Sequence, residues 1–232
     1  MAGKNAKTLE GCRFCRLNML KIFFRYNGIM RKILCFGDSN TFGFNPANGA
    51  RLGADARWTG ILQTLCRGKF EIVEAGCNNR TAFAENPAGR EFTGIKILPE
   101  LLTFDLDFVV IAAGINDLQP QYKTTETALK SGITDLLRIV KSKLPNAKII
   151  LVAPPVLGAE VLVSPLFSVL FDESSIQKSK SVAKIYREVS VTENCDFIDL
   201  NGVATPSVRD GLHFEPFEHA KIARKIFEHL SA

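Results

Sequence analysis

The stretch Ile33-Leu34-Cys35-Phe36-Gly37-Asp38-Ser39-Asn40-Thr41-Phe42-Gly43 sets the frame for the whole chain. Four apolar residues in a row read as a short buried strand, and Gly37 stops it. Asp38 and Ser39 then lie where the chain leaves the sheet. Open parallel sheets carry their chemistry there, outside the carboxyl ends of the strands. Taken alone, Ser39 also suits the N-cap of a following helix.

From Arg31 onward, strand and helix patterns alternate. Strands are expected at Lys32–Phe36, Phe70–Glu74, Phe108–Ala112, Lys148–Val152 and Phe197–Leu200. Helices are expected at Trp58–Cys66, Thr93–Leu102, Thr124–Lys143, Glu173 to about Glu193, and Pro216–Leu230. In Thr124–Lys143 the residues Leu129, Ile133, Leu136, Leu137 and Val140 fall at helical spacing. Five strands separated by helices imply an α/β fold, a parallel sheet covered on both faces and joined by right-handed crossovers. Residues 156–171 break the rhythm with Val, Leu and Phe and almost no charge. A core helix is one reading; an apolar lid or a contact between copies of the chain is the favoured one, because connections this long are usually functional.

The net charge of +5 is misleading if taken whole. Residues 1–32 hold eight Lys/Arg and one acid, Glu10, so the remainder carries more acids than bases. The basicity belongs to an N-terminal extension over residues 1–29, and the body, 30–232, offers no nucleic-acid surface. The apolar run Leu17 to Phe24 is too short to span a bilayer and has no cleavage signal. It reads as a loosely tied extension, with a basic helix touching a membrane surface as the rival. Cys35, Cys66 and Cys195 sit in apolar surroundings, and Cys12/Cys15 lack a second pair at zinc spacing, so neither disulfides nor a metal are expected. A reducing, cytoplasmic compartment fits this usage.

Four short pieces put polar residues just after a strand or before a helix: Gly37-Asp38-Ser39, Asn78-Asn79-Arg80-Thr81, Gly114-Ile115-Asn116-Asp117 and Asp210-Gly211-Leu212-His213. In a parallel sheet these can meet at one edge. Ser39 then suits a nucleophile, His213 its base, and Asp210 the carboxylate that fixes the imidazole tautomer. The backbone N–H groups of Ser39 and Asn79 and the Asn116 amide can serve as oxyanion donors. Asp38 and Asp117 read chiefly as local hydrogen-bonding residues. His213, Glu215 and His219 are rejected as metal ligands, since Pro216 interrupts their alignment and H-E-x-x-H is absent. The elbow G-x-S-x-G is absent too.

The blocks Phe-Gly-Asp-Ser-Asn-Thr (36–41), Gly-Ile-Asn-Asp (114–117) and Asp-Gly-Leu-His (210–213) resemble those of the SGNH hydrolase superfamily, the GDSL-type esterases. Arg57-Trp58-Thr59-Gly60, Glu74-Ala75-Gly76, Asn79-Arg80-Thr81 and Ala153-Pro154-Pro155 make the chain similar to the arylesterase/acyltransferase branch. The resemblance covers about residues 31–230. It implies a flavodoxin-like three-layer α/β/α sandwich with a five-stranded parallel sheet, and a serine esterase or acyltransferase needing no cofactor. Small acyl esters would be the substrates, with a lysophospholipase or thioesterase as the alternative. Asp38, Trp58 and Arg80 are expected in the substrate pocket. Where the family usually has glycine as the second oxyanion residue, this chain has Asn79.

Overall fold

The apolar run after Lys32 forms an inner strand of the sheet in a computed structural model of the protein, which describes residues 30–231. Strand β1 (Arg31–Gly37) pairs in parallel with β2 (Phe70–Gly76) on one side and β3 (Leu106–Ala112) on the other. Beyond β3 lie β4 (Lys148–Ala153) and β5 (Asp196–Asp199), giving the order β2-β1-β3-β4-β5 with every pair parallel. The chain moves outward to β2 and then returns across β1 to β3, so the strand order reverses between β1 and β3. A crevice opens at such a switch point.

Alternating side chains commit the two faces to separate cores. Leu34, Phe36, Val109, Ile111 and Leu151 pack under α3 (Gly94–Leu101), α4 (Glu126–Lys143) and α5 (Glu173–Thr192). Ile33, Cys35, Phe108, Val110 and Ile150 pack under α2 (Trp58–Leu65) and α6 (Pro216–Ser231). The result is the expected three-layer α/β/α sandwich. The five apolar positions of α4 are all buried, as their spacing required. Thr125 caps α4 through the Ala128 N–H, and Asp172 with Ser175 forms a capping box at the start of α5.

Boundaries differ modestly from expectation. β1 to β4 each extend by one or more residues, while β5 stops at Asp199 because Leu200 enters a 3₁₀ turn. Cys66 lies just past α2. Residues 156–171 form no core helix, only a 3₁₀ turn at Ala159–Leu162. Leu157, Val161 and Phe171 are nevertheless core residues, whereas Val163, Leu166 and Val169 are exposed. The basic extension, with its Cys12/Cys15 pair and proposed surface helix, lies outside the described residues.

Candidate active site

Gly37 ends β1 beneath a crowded corner, where a Cβ would overlap the Thr41 Oγ1 and the Ala112 carbonyl. Asp38 is extended and accepts the Asn40 N–H at 3.0 Å, which makes it the N-cap of α1 (Ser39–Phe42). The cap is therefore Asp38, and Ser39 is the first helical residue. This leaves the Ser39 hydroxyl without a capping duty.

From the other end of the chain, Asp210 folds back on its own loop. Its Oδ1 accepts the N–H groups of Leu212 and His213, each at 2.9 Å. Its Oδ2 lies 2.7 Å from His213 Nδ1, and His213 Nε2 lies 2.8 Å from Ser39 Oγ. A carboxylate only accepts, so Nδ1 carries the proton and Nε2 is the bare nitrogen that accepts from the serine. Burial pushes the Asp210 carboxyl up. The imidazole beside it and the two backbone donors outweigh that and leave it below its ordinary range. Gly211 (φ 66°) lets the loop turn, and its carbonyl accepts the Gly158 N–H at 2.8 Å. Asn40 Nδ2 donates to the Leu212 carbonyl at 3.2 Å, tying the two loops together.

The imidazole is walled by aromatics. The Phe44 ring stacks on it at 4.2 Å between centroids, and the Phe167 ring lies at 4.9 Å. The two phenyl rings also meet edge to face at 5.7 Å. Neither phenylalanine was singled out from the sequence. Phe44 comes just before a Gly/Asn/Pro-rich stretch, and Phe167 is one of several apolar residues of 156–171.

The loops after β2 and β3 build the opposite wall. Asn79 is left-handed (φ 56°), and its carbonyl accepts from Asn86 Nδ2 at 2.8 Å. Asn116 Nδ2 donates to the Arg80 carbonyl at 3.0 Å. Asp117 is fully buried and takes three successive backbone donors, from Ala82 at 2.5 Å, Phe83 at 3.0 Å and Ala84 at 2.8 Å. Burial still pushes its carboxyl up to about 6, against the pull of those N–H groups. Gln119, also fully buried, donates to both Asn79 Oδ1 and Asn116 Oδ1. It stands outside every sequence block.

Arg80 does not enter the pocket as expected. Its guanidinium turns inward over the Phe36 ring and donates to the carbonyls of Gly37, Ala75 and Glu91. With the Cys77 N–H, which also reaches the Gly37 carbonyl at 3.2 Å, it anchors the Asn79 loop beside Ser39. Trp58 is core-like, almost fully buried, with its backbone N–H donating to His219 Nδ1. It borders, with Asp38, Thr41, Pro155 and Phe214, a cavity of about 20 Å³ behind the serine loop, room for one water. Burial pushes the Asp38 carboxyl up to about 7. His213, Glu215 and His219 are separately engaged: Glu215 accepts from Ser207 and Arg209, and His219 is buried under Trp58.

Comparison with known proteins bears on the family and the fold. Residues 35–219 match the sequence profile of the GDSL-like lipase/acylhydrolase family. The chain is similar to the native aryl esterase of M. smegmatis, at 29% identity and a TM-score of 0.78, over 87% of this chain and 98% of that one. It is similar also to Est24, a carbohydrate acetylesterase from Sinorhizobium meliloti, at 26% identity and a TM-score of 0.81, with the same coverage. The search of curated proteins returned no match. A five-stranded parallel sheet in this order and a profile match spanning four of its five strands in full place the protein among hydrolases acting on ester bonds, and the chain belongs to the GDSL-like lipase/acylhydrolase family.

Proposed function

We propose that this hydrolase is a serine esterase that forms an acyl-enzyme on Ser39 and acts on small acyl esters, with transfer to an alcohol as a second outcome. The observation that carries the reading is the line Ser39 Oγ, His213 Nε2, His213 Nδ1, Asp210 Oδ2, with gaps of 2.8 and 2.7 Å. Ser39 Oγ attacks the ester carbonyl while Nε2 takes its proton. Asp210 stabilises the imidazolium and keeps its orientation. The negative charge moving onto the carbonyl oxygen meets the Ser39 and Asn79 N–H groups and the second hydrogen of Asn116 Nδ2. His213 then hands its proton to the departing alcohol, and the ester oxygen leaves. Water or another alcohol reverses these steps and frees Ser39.

Two observations favour small acyl groups and apolar leaving groups. Two of the proteins this chain is similar to are an aryl esterase and a carbohydrate acetylesterase. Phe44 and Phe167 flank the imidazole that would deliver the proton, so an aryl alcohol would leave against an apolar wall. A fluorophosphonate probe tests the reading. It should label Ser39 alone, and labelling that survives Ser39→Ala would overturn the assignment.

A further inference from the structure

We infer that Gln119 is a positioning residue that locks Asn79 and Asn116 in the orientations their donor roles need. The inference rests on the reading of those two asparagines as oxyanion donors.

Gln119 lies between two 3₁₀ turns, Asn116–Leu118 and Pro120–Tyr122, with ψ at 138°. Pro120 disfavours the helical region for the residue before it, so the chain cannot run on as one helix. The side chain is fully buried. Its Nε2 reaches Asn79 Oδ1 at 2.9 Å and Asn116 Oδ1 at 3.2 Å, spending both amide hydrogens. Its Oε1 accepts from Gln121 Nε2 at 3.0 Å.

The direction of this network follows from one atom. The Arg80 carbonyl can only accept, so the nitrogen of the Asn116 amide must face it, at 3.0 Å. The oxygen of Asn116 then faces Gln119, which must present its nitrogen there, and so its oxygen to Gln121. One hydrogen of Asn116 Nδ2 is spent on Arg80, and the other remains for a substrate oxygen. A flipped Asn116 would aim a carbonyl at that oxygen and repel it. The Arg80 carbonyl at one end and the Gln119 donor at the other together hold the amide against the flip.

Asn79 gains in a different way. It is a non-glycine residue in the left-handed region, which side chains disfavour. Gln119 holds its side chain and Asn86 its carbonyl, so its backbone N–H keeps one direction. A glycine at this position would offer no such handle. Gln119 and Asn79 thus act as a pair, the side chain of one fixing the backbone of the other.

The test is kcat and KM on one small ester for wild type, Gln119→Leu, Gln119→Glu, Asn116→Ala and the double variant Asn116→Ala/Gln119→Leu, with thermal melts. Gln119→Leu should lower kcat by about tenfold to a hundredfold, the scale of a displaced catalytic group, and leave KM within about twofold. Gln119→Glu should lose more, because a carboxylate of the same shape sets an oxygen against both amide oxygens and repels them, where leucine only fails to donate. If Gln119→Leu does not fold, Gln119→Glu carries the comparison. In the double variant the combined loss should fall short of the product of the single losses, since Gln119 works partly through Asn116. Full kcat in both Gln119 variants would overturn the inference, as would a fully multiplicative double loss. If Asn116→Ala falls steeply and the Gln119 variants do not, only Gln119 has been misassigned. An unaffected Asn116→Ala would sink the oxyanion reading and this inference with it.

Discussion

The Asn116 amide donates to the Arg80 carbonyl at 3.0 Å, joining the loop after β3 to the loop after β2 across the crevice. Each loop is anchored from behind, one by Asp117 and the other by the Arg80 guanidinium. The proposed oxyanion donors therefore stand on backbone held before any substrate arrives, which is the condition for electrostatic preorganisation.

Asn116→Ala should lower kcat by about 10²–10³, or roughly 2.7–4 kcal/mol, with KM little changed. Asn79→Gly fits the left-handed backbone and keeps the N–H, so it should lose only what Gln119 contributes through its side chain. Asn79→Pro removes the N–H and cannot adopt φ 56°, so it should be far slower. Steady-state kinetics of the three variants checks this, and equal losses for Gly and Pro would contradict it.

Asp117→Ala would leave the buried Ala82 N–H and the half-buried Phe83 and Ala84 N–H groups without their acceptor. An orphaned buried donor costs about 1–3 kcal/mol, so a loss of about that size in unfolding free energy is expected. The urea midpoint measures it, and a change under about 1 kcal/mol would mean the loop is held by other contacts.

Asp38 makes stability depend on pH in an unusual sense. Its carboxyl is up at about 7, against an ordinary 3.8. Between those values the folded chain holds a proton that the unfolded chain has lost. Its stabilising contribution is therefore present at low pH and lost as pH rises from about 4 to about 7. Asp38→Asn keeps an acceptor for the Asn40 N–H and removes the titration. Its Tm should match wild type near about pH 4 and exceed it at about pH 8, by about 2–4 °C for each kcal/mol. A Tm difference that is flat across this range would contradict the burial argument.

Phe167→Ala opens one side of the His213 ring. On an aryl acetate kcat/KM should fall about twofold to tenfold, in line with roughly 0.5–1.5 kcal/mol for an aromatic contact. An alkyl acetate should suffer less. Equal losses on both would mean that Phe167 supports the imidazole and not the leaving group.

The fold was legible because its signals are redundant. The runs at Ile33–Phe36 and Phe108–Ala112 are apolar on both faces, as strands of a covered parallel sheet must be. The blocks around Ser39, Asn116 and Asp210–His213 could be read because each sits just after a strand or just before a helix. Residues that act at a distance from their own block were less visible. Arg80 shows its charge in the sequence but not its direction, and its charge is turned onto three carbonyls. Gln119 reads as a loop residue before a proline, and its partners lie 40 and 3 positions away. The one usable signal was Pro120 directly after a helical turn, which forces the residue before it out of the helix. Phe44 belongs to a loop whose composition says only that it turns.

The central claim is that Ser39 carries the acyl group. Wild type and Ser39→Ala should each be mixed with an activated acetyl ester, quenched in acid at short times, and their digested peptides weighed. The account predicts one acetyl group on the peptide containing Ser39 in wild type, decaying as the ester is consumed, and none in Ser39→Ala. Turnover with no adduct on Ser39, or an adduct that persists in Ser39→Ala, would contradict it.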